Sequence, residues 1–163
     1  MTSAPNLLDG EIVEITPVKP PQMGAVNRRN RWFMLHLGER AVVSVRNAAQ
    51  LGLRNAPQPD LALLAWRVDQ YGGAIATAPD ILLTIEIADG SLQRDRTRKG
   101  RIYARHGMQE YWIGDLNGER IEVCRDLAPG GYRTVQGFRR GETMAPVAFP
   151  DLAMPVEAIL GTA

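Results

Sequence analysis

Cysteine, histidine and lysine are all scarce in this 163-residue chain, which has one cysteine (Cys124), two histidines (His36 and His106) and two lysines (Lys19 and Lys99). A lone cysteine excludes an internal disulfide framework and a cysteine-rich zinc site. Two histidines exclude a histidine-rich metal cage, so any metal held here should be bound through carboxylates. Charge of one sign is missing too. The 19 Lys+Arg stand against 18 Asp+Glu for a formal net charge of +1, which excludes a binder whose affinity comes from bulk positive charge. No apolar run approaches the ~18 residues that a membrane span needs. The opening MTSAPNLLDGE has neither the basic nor the apolar region of a leader peptide. The expectation is a cytoplasmic protein with no membrane partner.

With 45% hydrophobic and 23% charged residues, the chain is not of the disordered class. It is long enough to close a core without staples. No repeat or low-complexity linker divides it, so residues 1–163 are expected to form a single domain.

Leu7 to Ile15 is apolar around Asp9-Gly10, a hairpin signal. Prolines 17, 20 and 21 lead into an amphipathic helix from Gln22 to about Leu37, with Val26, Phe33, Leu35 and Leu37 on its apolar side. Arg28, Arg29 and Arg31 are assigned to its remaining surface. Ala41–Val45 is a strand candidate and Leu51–Leu53 a weaker one. Asp60–Leu64 and Asp80–Ile87 are continuous apolar runs, as in strands covered on both faces. Asp89-Gly90-Ser91 offers a turn and an N-cap for a helix over about Leu92–His106, with Gly107 at its C-terminal cap. Three short strands follow at 110–115, 120–125 and 132–135, the first two joined at Asn117-Gly118, and Val156–Leu160 looks helical. The class is α/β or α+β, a central mixed sheet flanked by helices.

Two carboxylates sit where carboxylates are usually avoided. Glu86 lies inside Ile81–Ile87, and Asp60 opens the run Asp60–Leu64. A buried carboxylate needs a cation, a set of hydrogen bonds or a metal. Either one alone fits an exposed strand end; both on successive strands point to a site. On the following helix, at ~100° per residue, Leu92, Asp95, Ile102, Tyr103 and His106 fall within ~60° of Lys99. Arg94, Arg98, Arg101 and Arg105 take the opposite side. Lys99 is therefore either snorkelling out of a core or pointing into a site, and Glu86, on the strand feeding this helix, favours the site. Two strand acids and a lysine make a metal-dependent phosphodiesterase constellation. The acids hold a hard cation, the metal lowers the pKa of a bound water, and the lysine orients that water or stabilises transition-state charge. The basic residues are 17 Arg and only two Lys, so lysine at this position stands out. Cys124 alternates with Ile121 and Val123 as a core thiol. His36 and His106 close the two helices, where a protonated imidazole favours the helix dipole. The glycine pairs Gly72-Gly73 and Gly130-Gly131 fit no phosphate-binding loop.

Pro59-Asp60, Ile85–Ser91, Asp95–Lys99 and Tyr103–Gly107, with Leu7–Glu14, Glu110–Ile113 and Phe149–Leu152, resemble the Uma family, described as putative restriction endonucleases of the PD-(D/E)xK nuclease superfamily. The resemblance covers nearly the whole chain. It implies a restriction-endonuclease-like core and a Mg²⁺-dependent site, with Mn²⁺ as a substitute. Asp60 would be the motif aspartate and Glu86 the acid of the (D/E)xK element. Ala88 stands where that element has lysine, and Lys99 from the next helix would replace it. The backbone carbonyl of Ile87 would be a third metal ligand. The family often has histidine where Met23 stands here.

The leading reading is a Mg²⁺-dependent endonuclease hydrolysing DNA, with Asp60, Glu86 and Lys99 catalytic. Glu86→Ala or Lys99→Ala is then expected to abolish cleavage with little loss of stability. The arginine row Arg94, Arg98, Arg101 and Arg105, together with Arg28, Arg29 and Arg31, is expected to neutralise DNA phosphates. A homodimer suits two-strand cleavage. The second reading, motivated by Met23 and the modest net charge, is a catalytically weak nuclease-fold protein that binds nucleic acid or a protein partner. A third is a mixed α/β domain in which Lys99 and Glu86 pair only structurally.

Overall fold

The computed structural model describes residues 5–14, 17–88 and 95–161. Its organising element is a six-stranded sheet. The strands are β3 (Ala41–Ser44), β4 (Leu61–Ala65), β5 (Ile81–Ala88), β6 (Tyr111–Asp115), β7 (Arg120–Ala128) and β8 (Gly131–Arg139), and they lie side by side in chain order. Every neighbouring pair is antiparallel except β5 and β6. A parallel pair needs a crossover, and the helical segment between β5 and β6 supplies it.

The continuous apolar runs behave as expected of central strands. β4 and β5 are buried along almost their whole length. With a side-chain period of two, Leu61, Leu63, Leu83, Ile85 and Ile87 face one side, where Phe33 and Leu37 of helix α1 (Pro20–Leu37) cover them. Ala62, Leu64, Ala88, Tyr111 and Ile113 face the other, under Ile102 and Tyr103 of helix α2 (Gly100–Arg105). Glu86 belongs to this second face.

Helix α1 begins two residues before the expected Gln22, because Pro20 and Pro21 occupy its first turn, where their missing N–H groups are no loss. The Gln22 side chain accepts from the Lys19 N–H at 3.0 Å. The hairpin at Asp9-Gly10 forms as expected, joining β1 (Asn6–Leu8) to β2 (Glu11–Val13), with φ of 53° and 82° at the two turn residues. That conformation is the one that favours the Asp-Gly pair.

Some expectations need correction. Leu51–Leu53 makes no strand; Gly52 turns through φ 74°, and only Gln50 bridges to Thr77. Asn117-Gly118, by contrast, does form the expected hairpin turn between β6 and β7, within residues 116–119, where Asp115 accepts from the Gly118 N–H. Strand β8 runs well past 132–135, because β7 pairs with it along its length although its side chains are largely exposed. Leu35, assigned to the apolar stripe of α1, is 71% exposed, whereas Arg29, assigned to the surface, is wholly buried. The expected helix over 92–106 is a π-helical turn, Asp95–Lys99, running into α2. Its first residues and the Asp89-Gly90-Ser91 turn lie outside the described residues. A short pair, β9 (Thr143–Met144) with β10 (Met154–Pro155), and helix α3 (Glu157–Leu160) close the fold. No helix among the described residues is long and apolar enough to cross a membrane.

Candidate active site

Strand register brings the two acids together. Leu61 on β4 pairs with Ile85 on β5, so Asp60, one residue earlier in an antiparallel pair, comes beside Glu86. Asp60 is held by two donors. The Ile87 N–H donates to Oδ2 at 2.8 Å, and Arg46 Nη2 donates to Oδ1 at 2.8 Å. Arg46 reaches it from the turn after β3, where its own φ is 53°.

Glu86 is only 4% exposed. Tyr103 Oη donates to its Oε1 at 2.8 Å, and Lys99 Nζ lies 2.9 Å from its Oε2. Tyr103 and Lys99 are four residues apart, one above the other on the same side of the helix. The side chains of Asp60 and Lys99 are each 15% exposed, so both are largely covered. Asp60, Glu86 and Lys99 are thus brought into one site. Arg46 and Tyr103 complete it, and no functional role was expected for either.

Arg29 stands on α1, which covers the opposite face of the sheet. Its guanidinium is fully buried and none of its nitrogens is hydrogen-bonded among the described residues. Burial pushes its pKa down to about 10, while Asp60 and then Glu86 oppose that shift.

The donors that the two acids could offer a metal are carboxylate oxygens, and oxygen suits a hard divalent cation. All of the carboxylate oxygens already face protein donors. A cation would share them with, or displace, Arg46 and Lys99. In donor chemistry the residues fit Mg²⁺, although no group of three or more Asp, Glu, His or Cys side chains gathers among the described residues.

The expected phosphate-binding row is placed unevenly. Arg98 pairs with Glu11 at 2.7 Å and donates to the Leu8 carbonyl at 2.8 Å; Arg105 pairs with Asp9 at 2.6 Å. These two arginines pin the β1–β2 hairpin to the helix. Arg101 is exposed, and Arg94 lies outside the described residues. Met23 is 53% exposed. His36 stacks on Trp32 at 4.1 Å and donates from Nδ1 to its carbonyl. At His106 partial burial and then Arg105 lower the pKa. Cys124 is buried in the core, as expected.

A six-stranded mixed sheet covered by helices is the fold of a nuclease-like protein. The Uma2 family, described as putative restriction endonuclease, matches residues 3–157, and the chain belongs to that family. The fold is similar to that of a putative nuclease belonging to DUF820 from Anabaena variabilis ATCC 29413, whose crystal structure aligns with a TM-score of 0.77. The identity is 17%, over 98% of this chain and 91% of that one, so the likeness is one of fold. No curated protein matches the chain.

Proposed function

We propose that the chain is a Mg²⁺-dependent endonuclease that hydrolyses DNA phosphodiester bonds. The observation that carries this reading is the meeting of Asp60, Glu86 and Lys99 in one largely buried cluster. Asp60, Glu86 and the Ile87 carbonyl would hold the cation. When bound, the cation supplies a lowered pKa for a coordinated water and polarises the phosphate. Lys99 holds its proton on Nζ beside the reacting centre and offsets the negative charge that builds on the phosphorus oxygens. Tyr103 fixes the Glu86 carboxylate by donating to Oε1. Arg46 and the Ile87 N–H fix Asp60. Arg101, and Arg98 and Arg105 if the hairpin acids release them, would contact flanking phosphates. The protein would act in the cytoplasm, and a homodimer would place two such sites on one duplex.

The test is nicking of supercoiled plasmid and cleavage of single-stranded DNA with Mg²⁺ or Mn²⁺, comparing wild type with Glu86→Gln. Cleavage that needs both the metal and Glu86 is expected. Intact duplex and single strands would refute the active form of the proposal.

A second reading has its own observation: every oxygen of the acid pair already has a protein partner. In that case the protein binds nucleic acid or a partner protein and cleaves weakly. Nucleic-acid binding with no divalent-ion site in calorimetry would favour it.

A further inference from the structure

Strand β3, at the edge of the sheet, and loop 70–76 form a pocket of about 580 Å³, within the range of small-ligand sites. The described residues that line it carry no formal charge. Ser44, Asn47 and Gln70 supply a hydroxyl and two amides, and Gly72-Gly73 supplies bare backbone. Tyr71 adds an aromatic ring. Its hydroxyl donates to the Ala65 carbonyl at 2.9 Å and Arg67 covers one face of the ring, which fixes the ring in place. Gln70 and Tyr71 hold φ of 47° and 62° in succession. Neither is glycine, so the loop is strained, and strain of this kind collects at ligand sites.

The pocket adjoins the acid cluster. Leu64, which lines it, belongs to the sheet face that carries Glu86. In the chain Arg46 stands between Ser44 and Asn47, and Arg46 is the residue that grips Asp60. The grip uses Nη2, and the Arg46 side chain is 39% exposed, so an incoming phosphate has access to the guanidinium. A cation at the rim and an uncharged hollow behind it match the parts of one nucleotide, with the phosphate at Arg46 and the base inside. Amide side chains offer a donor and an acceptor together, as base edges do. An aromatic ring stacks on a base of any sequence.

We infer that this pocket takes one unpaired nucleobase of the strand whose phosphate meets Arg46 and Asp60, so that the favoured substrate is unpaired or locally unstacked DNA. The inference rests on the nuclease reading above and deepens it by naming the substrate class. A duplex must turn a base out of its stack to fill the pocket, a cost that an already unpaired base does not bear.

The probes are three labelled DNA hairpins: one fully paired, one with a single bulged thymine in the stem, and one with an abasic residue in place of that thymine. Binding is followed by fluorescence anisotropy with Ca²⁺ in place of Mg²⁺, and Mg²⁺-driven cleavage of the same hairpins is measured alongside. The bulged thymine is expected to bind about ten-fold tighter than either of the others, which is within the worth of one stacked base. Asn47→Ala removes an amide and Ala74→Leu fills the pocket, both at exposed positions, and each should remove that preference. Equal affinity of wild type for the thymine and abasic bulges, or a preference kept in both variants, would overturn the inference; Glu86-dependent cleavage would then leave the nuclease reading standing. No Glu86-dependent cleavage of any hairpin would overturn the nuclease reading and the inference with it.

Discussion

Replacing Lys99 by methionine removes the cation against which Glu86 is packed while leaving a side chain of similar length. The pair is close and dry: 2.9 Å apart, with side chains 15% and 5% exposed. Removing one partner of a buried pair strands the other charge, at about 3–5 kcal/mol. Tyr103 Oη still donates to Glu86 Oε1, which puts the expectation near the lower end, about 3 kcal/mol. For a domain of this size each kcal/mol shifts Tm by about 2–4 °C, so Lys99→Met should melt roughly 6–12 °C lower. Glu86→Gln in the same background removes the stranded charge. The double variant should be about 2 kcal/mol more stable than the sum of the single losses predicts. Urea unfolding followed by circular dichroism measures all four corners of the cycle. A Lys99→Met loss below about 0.5 kcal/mol, or additivity within about 0.5 kcal/mol, would refute the buried pair. This burial also changes the expectation that Lys99 and Glu86 could be truncated with little loss of stability, so activity losses need the conservative variants.

Tyr103→Phe removes only the hydroxyl on Glu86 Oε1 and should destabilise by about 1–3 kcal/mol; an unchanged urea midpoint would deny the contact any weight. Arg101→Ala should lower the slope of log affinity against log salt for duplex DNA by about one unit, and an unchanged slope would remove Arg101 from the interface. His106 has a folded-state pKa below its ordinary 6.5, so the unfolded chain binds its proton first as pH falls. Stability attributable to His106 is therefore complete above about 6.5 and declines below it. His106→Gln should flatten urea midpoints between about pH 7 and 5, and an identical pH profile would contradict this.

Much of the architecture is legible because β4 is apolar throughout and β5 nearly so, as in strands of a doubly covered sheet. Asp60 and Glu86 stand out for the same reason, as charges in apolar company. Lys99 is legible from helical spacing even though Asp95–Lys99 is a π-helical turn. Its relation to Ile102 and Tyr103 depends on the α-helical stretch that follows. Arg29 carried a usable signal in its spacing from Ala25 and Phe33, but a charged residue among other arginines reads first as surface. Arg46 carried none, since its approach to Asp60 depends on a turn after β3 that places it at φ 53°. The ties of Arg98 to Glu11 and Arg105 to Asp9 span 87 and 96 residues, and no local pattern encodes contacts of that range. The length of β8 is likewise set by its partner β7, because an exposed strand lacks the alternation that marks a half-buried one.

The central claim is that Asp60 and Glu86 converge on one divalent cation beside Lys99. A crystal soaked in Mn²⁺ and measured at its absorption edge tests this directly. The account predicts one anomalous peak within about 2.0–2.6 Å of a carboxylate oxygen from each acid, lost in Glu86→Gln. No peak there, or a peak held elsewhere on the molecule, would contradict it.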